Sequence, residues 1–172
     1  MLLKIFAKIK IEYVITTFFG AGFFPKIPGT FASLIAFIPI IFIPNEYRFE
    51  ILFAAIIIFG IVSIPLISKV EREKGNDSSI IVIDEVIGVW LVFCSPFIPI
   101  SWFSFILGMI LFRCFDILKP SIIGKINRKT GAIYVLLDDI LAGIFSLILL
   151  HLIYFILKFA VFLKIIAVFR DF

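Results

Sequence analysis

The long apolar runs of this chain are interrupted at only a few points, and those interruptions define its elements. Phe31 to Pro44 and Phe49 to Ile67 are apolar and are joined by the short "NEYRFE". They predict a helical hairpin, its first arm short against the roughly 20 residues a perpendicular membrane span needs. The charged loop "SKVEREKGNDSS" leads into "IIVIDEVIGVWLVFCSPFIPISWFSFILGMILF". Pro96 and Pro99, with Ser95 and Ser101, put a turn signal in the middle of that run, and proline inside a helix costs about 3 kcal/mol. Val86 to Phe112 therefore reads as two short helices in a hairpin. After the polar, basic "RCFDILKPSIIGKINRKTG" comes the run Tyr134 to Leu157, which carries Asp138 and Asp139 near its start, and then "KFAVFLKIIAVFRDF", too short to span alone.

The N-terminus "MLLKIFAKIKIEYVI" has lysines at 4, 8 and 10, so it lacks the continuous apolar core of a signal peptide. Wound as a helix it sets Leu2, Ile5, Phe6, Ile9 and Tyr13 on one side and Lys4, Lys8 and Glu12 on another, which predicts an interfacial amphipathic helix. The loop "FFGAGFFPKIPGT" follows, with Thr30 the expected N-cap of the next helix. Composition agrees with this pattern: 63% of the 172 residues are hydrophobic, against an ordinary share of about 45–50%. The expectation is an all-α integral membrane protein, a helical bundle of about four to six helices forming a single domain over residues 1–172. The net charge of +4 is spread over short loops with no lysine or arginine block, which argues against a nucleic-acid partner. Cys94 and Cys114 form no CxxC and read as ordinary thiols.

Charge then fixes a topology. Lysine and arginine number four before residue 31, three in 68–85 and five in 113–129, whereas 45–48 holds one and 95–101 none. By the positive-inside rule the first group faces the cytoplasm. With residues 86–112 folded as a hairpin, Asp84 and Glu85 precede one helix, Arg113 and Asp116 end another, and Asp138 and Asp139 open a third, all at one membrane face. Each group alone has a plainer reading, as topogenic charge or as a helix N-terminal pair favoured by the macrodipole. Their concurrence is what points to a site.

An aspartate at the centre of a membrane helix costs roughly 2.5–3.5 kcal/mol. Several carboxylates gathered at one depth repel one another unless a cation holds them. Hard oxygen ligands at an interface suit magnesium, and Arg113, Asp116 and Lys119, spaced i+3 before Pro120, offer bases beside the acids. Acids for a metal with bases for an anion are what phosphate-ester chemistry needs. The six-residue cysteine-to-arginine spacing of cysteine phosphatases, the DxDx[TV] run of haloacid-dehalogenase phosphatases, the two histidines of type-2 phosphatidic acid phosphatases and the DG-led motif of CDP-alcohol phosphotransferases are all missing. His151, about 18 Å along its helix from Asp139 at 1.5 Å per residue, reads as a far-side histidine. The Gly20 and Gly22 loop is a weak motif for binding phosphate. The rival readings are a small transporter or ion-coupled carrier, with acids spread through the bilayer, and a structural membrane subunit.

Four runs, "PKIPGTFASL" at 25–34, "IVIDEVIGVW" at 81–90, "FRCFDILKP" at 112–120 and "LLDDILAGIFS" at 136–146, together resemble the phosphatidylglycerophosphatase A family. The resemblance implies a magnesium-dependent, all-helical enzyme of the bacterial inner membrane. Its partners would be membrane lipids and a phospholipid substrate, phosphatidylglycerol phosphate, whose terminal phosphate it removes at the cytoplasmic face to leave phosphatidylglycerol. It implies Asp84, Glu85, Asp116, Asp138 and Asp139 as the acidic site positions and Arg113 and Lys119 as the basic ones, with Asp77 also resembling a family position. The expected division has Asp84, Glu85, Asp138 and Asp139 on Mg2+ and Arg113 and Lys119 on phosphate, with Asp116 in the metal shell or orienting a base. The run "SIIGK" after Pro120 departs from the expected aromatic-proline pair.

Overall fold

A computed structural model describes residues 10–76, 78–120 and 122–170, and among them every regular element is helical. Seven α-helices follow in order: α1 (Ile11–Thr16), α2 (Pro28–Phe42), α3 (Arg48–Lys74), α4 (Ile83–Phe93), α5 (Trp102–Leu118), α6 (Ile122–Asn127) and α7 (Ala132–Arg170). Lys10 is extended and α1 begins only at Ile11; the rest of the amphipathic helix expected at the N-terminus falls on residues 1–9, which with Asp77 lie outside the described residues.

Local chemistry explains several boundaries. Pro28, not Thr30, starts α2, because proline's fixed φ and missing N–H suit the first helical position; Thr30 falls inside the first turn. The hairpin expected over residues 86–112 forms. α4 stops at Phe93, and α5 begins with a capping box in which Ser104 N–H donates to Ser101 Oγ (3.1 Å) and Ser101 N–H to Ser104 Oγ (2.9 Å). The tail is not a separate element: it continues α7 through Arg170.

Among the described residues, two helical segments, Asn45–Lys74 and Ala132–Ile166, are long and apolar enough to cross a membrane. Their outward positions are apolar, among them Phe53, Ile57, Ile58 and Ile61 on α3 and Ile148, Leu152 and Phe155 on α7. Apolar exposure on that scale marks a surface that meets lipid. α4 differs: Ile83, Val86, Ile87, Val89, Trp90, Val92 and Phe93 are all buried, with α2, α3, α5 and α7 packed around it. A helix apolar all round is a core helix, and this one, about 16 Å long at 1.5 Å per residue, has no need to match the bilayer.

The tightest crossing is between α4 and α7. A Cβ added to Gly143 would stand 2.6 Å from the carbonyl oxygen of Gly88, and one on Gly88 would stand 2.9 Å from the carbonyl oxygen of Asp139. With Ala142 and Ser146 also fully buried, this is close approach through small residues, the usual way membrane helices pack without a hydrophobic drive between them.

The far end of the bundle is tied by polar groups. Arg48, fully buried, donates to Asn45 Oδ1 (2.6 Å) and to the carbonyl oxygens of Ser95 (2.6 Å) and Ile98 (2.5 Å). Ser95 Oγ also meets His151 Nε2 at 2.8 Å. His151 thus joins the hairpin turn at the end away from the aspartates, as the axial spacing predicts.

Candidate active site

One turn from the Gly88–Gly143 crossing, Asp84 on α4 and Asp139 on α7 sit at equivalent heights, four residues before each glycine. The close approach of the two backbones therefore sets their carboxylates side by side. Oxygens of Asp84, Glu85 and Asp139 all lie within 4.8 Å of one another. Asp84 Oδ1 and Glu85 Oε2 are buried and have no hydrogen-bond partner. Unpaired buried carboxylate oxygens at this spacing are what a bound divalent cation satisfies, so the donor set fits a hard, oxygen-liganded metal. The start of α4 adds the favourable end of a helix dipole beneath Asp84 and Glu85.

The remaining acids face bases. Arg113 Nη1 lies 2.7 Å from Asp116 Oδ2, one turn along α5, an ion pair without an aligned N–H hydrogen bond. Lys119 Nζ donates to Asp138 Oδ2 at 2.5 Å. Burial by itself would lower the Lys119 ammonium, but its hydrogen bond to Asp138 and the charges of Asp138, Asp139 and Asp116 hold its pKa above the usual lysine value. Lys119 ends α5 in left-handed backbone, φ 43° and ψ 57°, with its N–H bonded to the carbonyl of Phe115. A non-glycine residue held there is strained, a recurring feature of functional positions.

All seven site residues expected from the sequence line one pocket of about 290 Å³. The expected metal set divides, however. Asp138 and Asp139 are adjacent on a helix and so point about 100° apart; Asp139 joins Asp84 and Glu85, and Asp138 faces Lys119. The sequence reading did not single out Lys26, Gly29, Ser78 and Ser79, which also line the pocket. A Cβ on Gly29 would collide with Glu85 Oε1, so the "PGT" turn needs glycine to let α2 approach the acid. Its only signal in the sequence was a glycine just after a helix-starting proline. The Gly20 and Gly22 amides are bonded to Thr17 Oγ1 and the Thr17 carbonyl oxygen and do not line the pocket.

Such a pocket, with paired carboxylates and fixed cations at the ends of lipid-facing helices, has the chemistry of a membrane protein that handles phosphate. The phosphatidylglycerophosphatase A family matches residues 14–154, and the chain belongs to that family. The chain is 32% identical over 139 residues to phosphatidylglycerophosphatase A of Escherichia coli, covering 78% of each chain. It is 32% identical over 133 residues to that of Haemophilus influenzae, covering 76% of this chain and 80% of the relative. A Bacteroides thetaiotaomicron protein, provisionally named a phosphatidylinositol-3-phosphatase, is 35% identical over 142 residues, 80% of this chain and 89% of its own. No solved structure matches. The protein is accordingly a membrane lipid phosphatase, a phosphoric monoester hydrolase.

Proposed function

We propose that this chain, as one membrane-embedded helical domain, hydrolyses the terminal phosphate monoester of phosphatidylglycerol phosphate at the cytoplasmic face of a bacterial inner membrane, and that it uses Mg2+. The observation that carries the reading is the meeting of Asp84, Glu85 and Asp139 beside two bases held by counter-charges. Asp84, Glu85 and Asp139 would hold the ion, which when bound polarises a phosphoryl oxygen and neutralises developing charge. Arg113, paired with Asp116 and lining the pocket, would bind the phosphate oxygens with its guanidinium. Lys119, kept protonated beside Asp138, adds a point charge from the other side. Lys26 at the pocket rim is a further cation for the incoming anion.

In the net reaction, water's oxygen bonds to phosphorus, the bond from phosphorus to the glycerol oxygen breaks, and a proton ends on the departing hydroxyl. The pocket lies at the helix ends, so the lipid tails stay among the helices while the phosphate enters. The count of basic residues in the loops at this end supports a cytoplasmic orientation. The carrier reading finds no support: Asp84, Glu85, Asp116, Asp138 and Asp139 all gather at one end, and the far end holds the Arg48, Ser95 and His151 network.

The test is phosphate release by purified protein from phosphatidylglycerol phosphate, phosphatidylinositol 3-phosphate and phosphatidic acid, with magnesium and with chelator. The expected result is magnesium-dependent release with phosphatidylglycerol phosphate the preferred substrate. Equal rates in chelator reject the metal, and preference for the inositol lipid rejects the headgroup.

A further inference from the structure

A second, apolar cavity of about 410 Å³ lies between α2 and α5 and is lined by Leu34, Phe37, Ile38, Ile41, Trp102 and Phe105 among others. The rings of Phe37 and Phe105, centroids 4.3 Å apart, meet there, and Phe37 packs in turn on Phe93 of the core helix, 4.8 Å away. Leu34, Ile38, Ile41 and Trp102 are between 46% and 81% exposed.

The groove shares its helix faces with the phosphate pocket. On α2, pocket-lining Thr30 is followed at helical spacing by Leu34, Ile38 and Ile41; on α5, Trp102 and Phe105 are followed through Met109 by pocket-lining Arg113 and Asp116. Thr30 to Ile38 and Phe105 to Arg113 are each eight residues, about 12 Å at 1.5 Å per residue. A headgroup region is about 5–8 Å deep on each side of a hydrocarbon core of about 30 Å. A groove 12 Å from a phosphate held at the headgroup level is therefore inside the hydrocarbon.

We infer that this groove seats an acyl chain of the same lipid whose phosphate occupies the polar pocket, and so makes the enzyme select a lipid-borne phosphate over a soluble one. The inference rests on the phosphatase reading above. Its occupant follows from the alignment of the two cavities along α2 and α5, with Leu34 one helical turn beyond Thr30: a phosphate monoester fixed at one end of this seam has its apolar tail directed to the other.

Two experiments decide it. Ile38→Trp fills the groove from a lipid-facing position, and kcat/KM is compared for dioleoyl and dihexanoyl phosphatidylglycerol phosphate; Ile61→Trp, 67% exposed on α3, is the control. The ratio of long-chain to short-chain kcat/KM falls about tenfold in Ile38→Trp and is unchanged in Ile61→Trp. An unchanged ratio in Ile38→Trp overturns the inference. With the unaltered enzyme, a phosphatidylglycerol phosphate bearing a mid-chain diazirine labels residues 34–41 and 102–105. Label spread evenly over α3 and α7, or cross-linking of two copies of the chain through this face, also overturns it. No phosphate release from either substrate by the unaltered enzyme overturns the phosphatase reading itself.

Discussion

Lys119 joins three pieces of chemistry in one residue: it ends α5, sits in left-handed backbone and pairs with Asp138. For an L-residue that backbone costs roughly 1–2 kcal/mol, and glycine escapes the strain. Lys119→Gly should thus unfold at a higher temperature than Lys119→Ala, by about 1 kcal/mol of stability. Turnover should fall in both by about 10²-fold, the scale of losing one charge-stabilising group. Thermal unfolding in detergent beside phosphate release checks both, and a Lys119→Gly enzyme with full activity removes Lys119 from the site. At this scale the sequence was partly legible. The i+3 spacing of Arg113, Asp116 and Lys119 and the stop at Pro120 marked the bases. Which of Asp138 and Asp139 joins Asp84 was not readable, because it depends on the rotation of α7 against α4, a tertiary quantity. Arg48 misled for a related reason: it reads as a loop charge but is the fully buried donor that ties Asn45 to the 95–98 turn.

Among the elements, the α4–α7 crossing sets the site's geometry. Gly143→Ala places a methyl against the Gly88 backbone, so the helices must part; overpacking of this kind costs about 1–3 kcal/mol. The catalytic loss should be larger in proportion, since a misplacement of about 1 Å can cost 10²-fold in rate. The expected outcome is a folded protein with turnover reduced by about 10²-fold, read by unfolding temperature and kcat on one preparation. Full turnover would mean that this crossing does not position Asp139. The hairpin was legible from Pro96, Pro99, Ser95 and Ser101, since turn chemistry is local. The role of α4 was not. A run such as "VIGVWLVF" is equally apolar facing lipid or facing protein, so pattern gives no sign that α4 is enclosed by its neighbours. The N-cap was misplaced at Thr30 because a proline two residues earlier already satisfies the helix start.

For the whole molecule, the antiparallel packing of α4 and α5 brings Asp84 and Asp116 to one pocket and leaves Phe97, 76% exposed, at the opposite end. A cysteine at Phe97 should be labelled by an impermeant thiol reagent from outside the cytoplasm, and a cysteine at the exposed Lys125 only from inside, in a background with Cys94 and Cys114 replaced. The reverse pattern inverts the orientation, and labelling of both from one side breaks the hairpin topology. The meeting of Asp84 and Asp116 was legible from the hairpin signal alone, and the loop charges supply the orientation that this labelling tests, because topogenic charge acts on segments and not on exact contacts.

The account's central claim is that Asp84, Glu85 and Asp139 together hold the magnesium on which phosphate release depends. Its most direct test is thermal unfolding of the purified protein and of Asp139→Asn across a magnesium titration, with phosphate release from phosphatidylglycerol phosphate measured on the same samples. A ligand that binds only the folded state stabilises it by about 2.7 kcal/mol at a hundred times its Kd. The unaltered protein should gain stability with magnesium in step with activity. Asp139→Asn should be at least as stable without metal, since one of three crowded carboxylates is neutralised, should gain little from magnesium, and should lose about 10²-fold or more in turnover. Full activity and an undiminished magnesium shift in Asp139→Asn would contradict the claim.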